Sequence, residues 1–147
     1  MILNLGAGDK AVEGRVNVDV VPLPGIDVVH DLDEHPWPWR NGEATEIHAL
    51  HIFEHVADPL GFMQQCWRVL ESGGWLHVEV PHWQSRNAFT DPTHRRFCTE
   101  DTFRYWVPGT WLWNSMGAAY HRNCPFTERK VRRQGQDLIV DLVKFVA

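Results

Sequence analysis

The chain has 147 residues, of which 44% are hydrophobic and 22% are charged, and its net charge is −5. This length and balance predict one globular domain over residues 1–147 and exclude a disordered chain. The negative charge gives no electrostatic reason for non-specific nucleic-acid binding, and no apolar run approaches the roughly 18 residues of a membrane-spanning helix.

The first half of the chain is a series of short apolar runs separated by Gly, Pro and Asp. Each run is too short for a helix and is rich in β-branched or aliphatic residues, which is typical of buried strands. The predicted strands are Ile2–Leu5, Arg15–Val20, Ile26–His30 and Glu46–Leu50.

A helix is predicted after the fourth strand. Asp58 can cap it, Pro59 suits its first position, and apolar side chains recur at helical spacing up to Leu70. The Ser-Gly-Gly sequence at 72–74 is expected to end this helix, and Trp75–Val80 forms the fifth strand.

The C-terminal half is less regular. Residues 82–98 are expected to form a long loop and residues 99–106 a short helix, while 107–125 carries no assignable pattern. The segments Phe126–Arg133 and Asp137–Val146 flank a Gln-Gly-Gln turn, which predicts an antiparallel hairpin. The elements together predict an α/β fold, with a Rossmann-like, mostly parallel sheet and an antiparallel C-terminal hairpin.

The N-terminus and the cysteines favour a cytoplasmic location. The first ten residues, MILNLGAGDK, lack the basic region and apolar stretch of a secretory signal. The three cysteines, Cys66, Cys98 and Cys124, form neither a disulfide framework nor a CxxC metal pair. We therefore expect a reducing environment and no membrane partner.

Short polar segments follow the first three predicted strands. They are Gly6-Ala7-Gly8, Asp19 and Asp31-Leu32. Glycines let the backbone turn sharply near a ligand, and an acid after the second strand can accept both ribose hydroxyls. Asp31 can accept from an adenine amino group while Leu32 covers the ring. Because such strand ends face one crevice, the sequence predicts a nucleoside site.

The segment GAGDKA also satisfies the dinucleotide pattern GxGxxA, so a nicotinamide-dependent oxidoreductase is an alternative. Two features argue against it. Gly8 and Asp19 are closer in sequence than the roughly 20 residues that a full helix requires, and Asp9 places a negative charge where a pyrophosphate would bind. A cationic nucleoside without phosphates suits these residues better.

The motifs LNLGAG (3–8), VNVD (16–19), DVVHDL (27–32), HIFEHV (51–56) and RVLESGG (68–74) occur in this order. The series resembles the class I S-adenosylmethionine-dependent methyltransferases, specifically the small type with a shortened N-terminal half. The resemblance covers about residues 2–98 and implies S-adenosylmethionine as the cofactor.

The resemblance implies a role for each residue at the nucleoside end. Asp19 would hold the ribose and Val20 would pack on adenine. Asp31 and Leu32 would meet the edge and the face of the adenine ring.

At the methionine end, Gly6-Ala7-Gly8 would pass beneath the cofactor. Asn4 stands where the family usually has an acidic residue that contacts the amino group. His51 and Ile52 would lie against the methionine and sulfonium region.

The chain departs from the family in the connections before the fourth strand. The chain starts at its first strand, and the next connections are too short for the usual helices, so one face of the sheet is predicted to have few helices. A parallel sheet normally needs both faces covered. We expect either the aromatic segment 106–120 or a second subunit to cover this face, and we predict a homodimer because an uncovered apolar face is an association surface.

The acceptor side is predicted to follow the fifth strand. His82 and His94 are candidate general bases, because a neutral imidazole is available near pH 7, and Asp91 can orient His94. Trp83 lies in the same region, and the pair Glu54-His55, which follows strand four, can either reach the pocket or cap the helix that follows.

Arg95 and Arg96 can anchor a carboxylate or phosphate of the substrate. Each of these residues also has an ordinary structural interpretation, as a turn, a cap, an ion pair or a solvated surface.

The nine histidines raise the question of a metal, but no HExxH motif or cysteine pair accompanies them, so no metal is expected. The basic residues of the hairpin, Arg129, Lys130, Arg132 and Arg133, suit a charged strand that prevents aggregation, and no nucleic-acid partner is predicted. The sequence therefore favours a methyltransferase acting on a small molecule, such as a sugar or another hydroxyl compound. The alternative is a non-catalytic module that binds S-adenosylmethionine or a related nucleoside.

Overall fold

The computed structural model describes residues 1–115, 117–120 and 123–146. Within these ranges the strands are β1 (Ile2–Leu5), β2 (Val16–Asp19), β3 (Val28–Val29), β4 (Ala44–Leu50), β5 (Leu70–Pro81), β6 (Phe126–Gln134) and β7 (Asp137–Lys144). The α-helices are α1 (Pro59–Val69), α2 (Arg86–Thr90), α3 (Trp111–Ser115) and α4 (Gly117–Tyr120), and a 3₁₀ helix spans Thr102–Trp106.

The strands form one seven-stranded sheet in the order β3-β2-β1-β4-β5-β7-β6. The pairs from β3 to β5 are parallel, whereas β7 runs antiparallel to both β5 and β6. This arrangement confirms the predicted Rossmann-like sheet with its antiparallel hairpin. The carboxyl ends of the parallel strands meet at one edge, which is where open α/β sheets bind ligands.

Several predicted boundaries change in the structure. The third strand is reduced to Val28–Val29, and the long loop at 82–98 contains the short helix α2. The helix predicted at 99–106 is a 3₁₀ helix that begins at Thr102, and the unassigned stretch contains α3 and α4. No helix among the residues that the structure describes is long and apolar enough to cross a bilayer.

Helix α1 begins as predicted but ends earlier. The Asp58 carboxylate accepts a hydrogen bond of 2.9 Å from the Gly61 amide. The expectation that the glycines at 72–74 stop the helix is wrong, because Leu70 is already extended and pairs with Ala44. The buried Leu70 side chain belongs to the core, and Gly73 (φ +77°) lies in an irregular part of β5, opposite the register shift in β4.

The main hydrophobic core lies between the sheet and α1. Ile47, Val78 and Leu142 project from three strands into this core and are almost fully buried. An aromatic chain extends the core, because the Phe53 ring lies 5.8 Å from that of Phe62 in α1 and 4.8 Å from that of Phe103 in the 3₁₀ helix. The 3₁₀ helix therefore packs on the face of the sheet that α1 covers.

The opposite face, where the N-terminal helices are missing, carries polar side chains. His77 Nδ1 lies 2.5 Å from Asp141, and its Nε2 lies 3.0 Å from Glu79. On the neighbouring strand His48 pairs with Glu46 at 2.9 Å. This part of the sheet is therefore mainly polar, although the Trp75 side chain on it is 48% exposed. Trp106 and Tyr120, at the two ends of the segment 106–120, line a groove with Leu60 of α1, so these two side chains lie on the α1 side and do not cover this face.

A side chain of α1 holds the segment between β3 and β4. Residues 30–43, all of which the structure describes, contain no helix. Arg68 donates to the carbonyls of Trp37 and Trp39, at 3.1 and 2.8 Å, and to Gln65 Oε1. The same Gln65 oxygen accepts from the Trp37 amide at 3.0 Å. Both tryptophan side chains are thereby held in the core.

We expect Arg68→Met to lower the free energy of unfolding by about 2 kcal/mol, because it leaves partly buried carbonyls without a charged donor. Arg40→Met is the matched control, because the exposed Arg40 makes only a backbone hydrogen bond among the contacts described for this segment. Urea unfolding followed by tryptophan fluorescence measures both. Equal stability of the two variants would contradict the role given to Arg68.

Candidate functional site

Two adjoining cavities lie at the carboxyl edge of the parallel strands. The Asp19 cavity is lined by Gly6, Asp19, Val20, His30, Asp31, Leu32, Asp33, Ile52, His55 and Val56. The glycine-loop cavity is lined by Asn4, Gly6, Ala7, Gly8, Asp9, Lys10, Val12, Leu50, His51 and Glu79. Their volumes are about 110 and 380 Å³, and Gly6 lines both, so the two cavities adjoin at the turn after β1. The larger has the size typical of small-molecule sites.

The turn after β1 brings the backbone close to Ile52. Gly6 has φ +64°, and a Cβ atom there would lie 2.8 Å from Ile52 Cδ1. A glycine is therefore required at this position both by its conformation and by the space available. Gly8 also has a positive φ of +53°, although a side chain there would meet no atom within 4 Å.

Asp19 ties this turn to the end of β2. Its Oδ2 accepts from the Gly8 amide at 2.8 Å, and its Oδ1 accepts from the Val21 amide at 2.9 Å. Each carboxylate oxygen can accept more than one hydrogen bond, so both keep acceptor capacity toward the cavity. The carboxylate is thus held in place before any ligand binds.

The side chains of Asn4 and Asn17 form a buried pair that holds the loop between β1 and β2. Asn4 Nδ2 donates to Asn17 Oδ1 at 2.9 Å and to the Lys10 carbonyl at 3.2 Å. Asn17 Oδ1 also accepts from the Val12 amide, and its Nδ2 donates to the Val12 carbonyl. Asn4 lines the cavity, but its described donors hold the loop. The sequence analysis missed Asn17, whose signal is a polar residue inside the strand Val16–Asp19.

The other end of the Asp19 cavity combines a carboxylate with apolar side chains. Asp31 is exposed and accepts from the Asp33 amide at 2.9 Å. Leu32 is buried, whereas Val20 is 60% exposed at the cavity mouth. This arrangement offers a polar edge and two apolar surfaces to a flat ring.

His51 follows β4 in a left-handed conformation with φ +55°. Its Nδ1 lies 3.7 Å from Glu54 Oε1 and its Nε2 lies 3.5 Å from Asp137 Oδ2. The interaction with Glu54 raises the pKa of His51 above its usual value, although partial burial opposes this effect and Asp137 reinforces it.

The two predicted substrate arginines instead bind the backbone that follows β4. Arg95 donates its Nε to the His55 carbonyl at 3.0 Å. Arg96 donates to the carbonyls of Phe53 and Val56, and its guanidinium lies 5.4 Å from the centre of the Phe53 ring. Burial lowers the pKa of Arg96. Neither arginine lines the two cavities, so their contacts describe a structural role.

His82 has both ring nitrogens engaged. The residue is 1% exposed, its Nε2 lies 2.6 Å from Glu100, and its Nδ1 accepts from the Gln84 amide at 3.1 Å. Trp83 is exposed beside it, and neither side chain lines the two cavities. This geometry gives His82 no free nitrogen for proton abstraction, in contrast to the expectation from the sequence.

The structure does bring together His55, His94 and Asp91. The rings of His55 and His94 meet edge to face with centroids 4.8 Å apart. Asp91 Oδ2 lies 3.7 Å from His94 Nε2 and 4.0 Å from His55 Nε2. A fourth side chain, Glu54, faces the same space.

A family model for the methyltransferase domain matches residues 8–137 of the chain. No curated protein matches it significantly in sequence. An S-adenosylmethionine-dependent methyltransferase from Thermotoga maritima is similar in structure, with 16% identity and a TM-score of 0.70 over 98% of this chain and 82% of its own.

Two further solved structures are similar. A methyltransferase from Archaeoglobus fulgidus has 16% identity and a TM-score of 0.67 over 97% of this chain and 85% of its own. The Burkholderia thailandensis 1,6-didemethyltoxoflavin-N1-methyltransferase, solved with S-adenosylhomocysteine, has 15% identity and a TM-score of 0.62 over 97% of this chain and 70% of its own. The chain belongs to the methyltransferase domain family and is a class I S-adenosylmethionine-dependent methyltransferase.

Proposed function

We propose that this protein holds S-adenosylmethionine in the cleft formed by the two cavities and transfers a methyl group to a small molecule, such as a hydroxyl compound. The observation that carries the proposal is the shared position of the predicted residues. Gly6, Asp19, Val20, Asp31, Leu32 and Ile52 line one cavity, and Asn4, Ala7, Gly8 and His51 line the adjoining one.

The charge of the cleft supports a cationic ligand. Its acidic lining residues are Asp9, Asp19, Asp31, Asp33 and Glu79, whereas Lys10 is the lysine that lines it. A pyrophosphate would meet unfavourable charge here, and a sulfonium would meet favourable charge. When bound, S-adenosylmethionine supplies an electrophilic methyl group on its sulfur.

Each part of the cleft has chemistry that fits one part of the cofactor. We propose that the Asp19 carboxylate accepts hydrogen bonds from the ribose hydroxyls, and that Val20 and Leu32 pack on the adenine ring beside Asp31. The turn after β1 leaves room for the methionine part next to His51. These roles use backbone and side chains that the fold already fixes, which reduces the cost of ordering on binding.

We assign the acceptor to the side of the cleft formed by His55, His94 and Asp91, since His55 also lines the Asp19 cavity. His94 Nδ1 lies 2.8 Å from the Ala88 carbonyl, which can only accept, so the neutral ring keeps its Nε2 lone pair. This lone pair can receive a proton from an acceptor hydroxyl.

We also propose that residues 1–147 act as one domain, since one hydrophobic cluster contains side chains from Leu3 to Leu142. A homodimer stays a prediction. The apolar side chains exposed at and before the edge strand β3, namely Val20, Val21, Leu23 and Val29, support it. Sedimentation velocity of the purified protein tests it.

Titration calorimetry should detect micromolar binding of S-adenosylmethionine and S-adenosylhomocysteine and no binding of NAD. Asp19→Asn should weaken both by roughly tenfold or more, because a charge-assisted hydrogen bond contributes about 1.5–3 kcal/mol. Glu71→Gln, which removes an exposed carboxylate outside the cleft, is the matched control. Unchanged affinity in Asp19→Asn would contradict the ribose role, and cofactor binding without methyl transfer across an acceptor screen would favour the non-catalytic module.

Gly6→Ala should weaken cofactor binding and destabilise the fold, because the new Cβ would press on Ile52 in a strained backbone. The control is Gly73→Ala, which has a similar φ of +77° and no neighbour within 4 Å. Both variants share a backbone penalty of about 1–2 kcal/mol. A larger loss of stability in Gly6→Ala, measured by thermal unfolding, therefore reports the contact with Ile52. If the two variants lose equal stability and Gly6→Ala keeps its affinity for the cofactor, there is no tight contact between this turn and Ile52.

A further inference from the structure

Four side chains converge beside the Asp19 cavity. They are Glu54 and His55, which follow β4, and Asp91 and His94, which follow α2. We propose that this cluster is a binding site for one divalent transition-metal ion, with Zn²⁺ or a related first-row ion as its ligand.

The first observation is a buried carboxylate that accepts no hydrogen bond from the described residues. Glu54 is 2% exposed, and neither Oε1 nor Oε2 has a hydrogen-bond partner among the residues that the structure describes. A buried carboxylate is costly unless it is paired or coordinates a metal. Arg96 lies near enough to interact with its charge, but the hydrogen bonds of that guanidinium go to backbone carbonyls. His51 Nδ1 lies 3.7 Å from Glu54 Oε1, which is beyond hydrogen-bond distance, so Glu54 has charged neighbours but accepts no hydrogen bond from the residues that the structure describes.

The second observation is the orientation of the two imidazoles. The Nδ1 proton of His94 goes to the Ala88 carbonyl at 2.8 Å. His55 Nδ1 lies 3.1 Å from the Thr93 hydroxyl, whose own proton goes to Asp91 at the shorter distance of 2.7 Å. The hydroxyl oxygen thus accepts from His55 Nδ1. Both neutral rings consequently present an Nε2 lone pair to the cluster, and the Nδ1 contacts are of the kind that orient metal-binding histidines.

The third observation is the spacing of the four acceptor atoms. His55 Nε2 lies 3.9 Å from Glu54 Oε1 and 4.0 Å from Asp91 Oδ2. His94 Nε2 lies 4.0 Å from the same Glu54 oxygen and 3.7 Å from the same Asp91 oxygen. Lone pairs that face one another without a proton repel, whereas a cation between them makes all four contacts favourable. Glu54, His55 and His94 each offer one ligand atom within 4.8 Å of the other two, whereas Asp91 lies beside this group of three. Ligands about 2.0–2.1 Å from a tetrahedral ion are ~3.3 Å apart, so contraction of these three ligands around the ion forms the site.

The donor set selects the kind of ion. Imidazole nitrogens with carboxylate oxygens suit Zn²⁺ and its first-row neighbours, whereas Ca²⁺ and Mg²⁺ prefer oxygen alone. Glu54, His55 and His94 supply three ligands, which leaves one tetrahedral position for an exchangeable ligand. The Asp91 side chain beside them is 46% exposed. The use of this open position rests on the proposed function: with the ion bound, His94 Nε2 is a ligand and no longer a proton acceptor, and an oxygen atom of the acceptor can occupy the open position beside the cofactor cleft. The binding of the ion itself does not depend on that function.

Co²⁺ is the probe that tests the site, because its visible absorption reports nitrogen and oxygen ligation. Chelator-treated full-length protein should bind one equivalent, with displacement by Zn²⁺. Glu54→Gln, His94→Gln and Asp91→Asn should each weaken binding by at least roughly tenfold. Circular dichroism verifies that each variant is folded, and the exposed Asp91→Asn is the one least able to disturb the core.

Two control variants separate this site from other histidine and carboxylate groups. His77→Gln changes the opposite face of the sheet, and Asp137→Asn changes the group formed by His51, Glu79 and Asp137. Both control variants should bind Co²⁺ with the same affinity as the wild-type protein. The proposal is overturned if wild-type protein gives no Co²⁺ spectrum, or if binding survives Glu54→Gln and is lost in a control. Calorimetry with S-adenosylhomocysteine on the same metal-free protein tests the cofactor site separately.

Discussion

The glycine turn at the carboxyl edge of this sheet depends on a buried hydrogen bond between Asn4 and Asn17. In a larger Rossmann-like protein a helix follows the first strand and fixes the glycine turn, but here a loop connects β1 to β2. The amide pair gives that loop its backbone partners inside the domain, at Lys10 and Val12. Because Asp19 then accepts from the Gly8 amide, the turn and the ribose-binding carboxylate we propose are fixed as one unit. The loss of a helix is thus compensated by polar side chains inside the sheet.

Polar side chains also compensate for the missing helices on the open face of the sheet. A sheet that loses the helices on one side exposes a surface, and an apolar surface would associate. This chain places His48, His77 and Asp141 there. His77 of β5 pairs with Asp141 of β7, His48 pairs with Glu46 on β4, and the rings of His48 and His77 lie 5.6 Å apart. The aromatic 3₁₀ helix instead extends the core on the α1 side. The domain can therefore stay small while its single apolar core remains on one side of the sheet.

Periodicity was enough to predict the sheet and the hairpin, since both depend on local patterns that fall at regular positions. The strand-end residues that the sequence singles out, Gly6, Asp19 and Asp31, line the Asp19 cavity. The end of α1 was not predictable, because the buried position of Leu70 outweighs the glycines that follow it. The structural role of His82 was also not predictable from the sequence, because its partner Glu100 comes from a different segment. Glu54 next to His55 resembles an ordinary cap in sequence, and only folding brings His94 beside them.

A crystal structure of the protein with S-adenosylhomocysteine tests the central claim most directly, namely that the loops at the carboxyl edge form a complete cofactor site. The account predicts density for the ribose hydroxyls within hydrogen-bond distance of Asp19, with adenine between Val20 and Leu32. An apolar groove of about 270 Å³ between Leu60 and Tyr105 offers an alternative location on the α1 side. Ligand density in that groove, with the Asp19 cavity empty, would contradict the account.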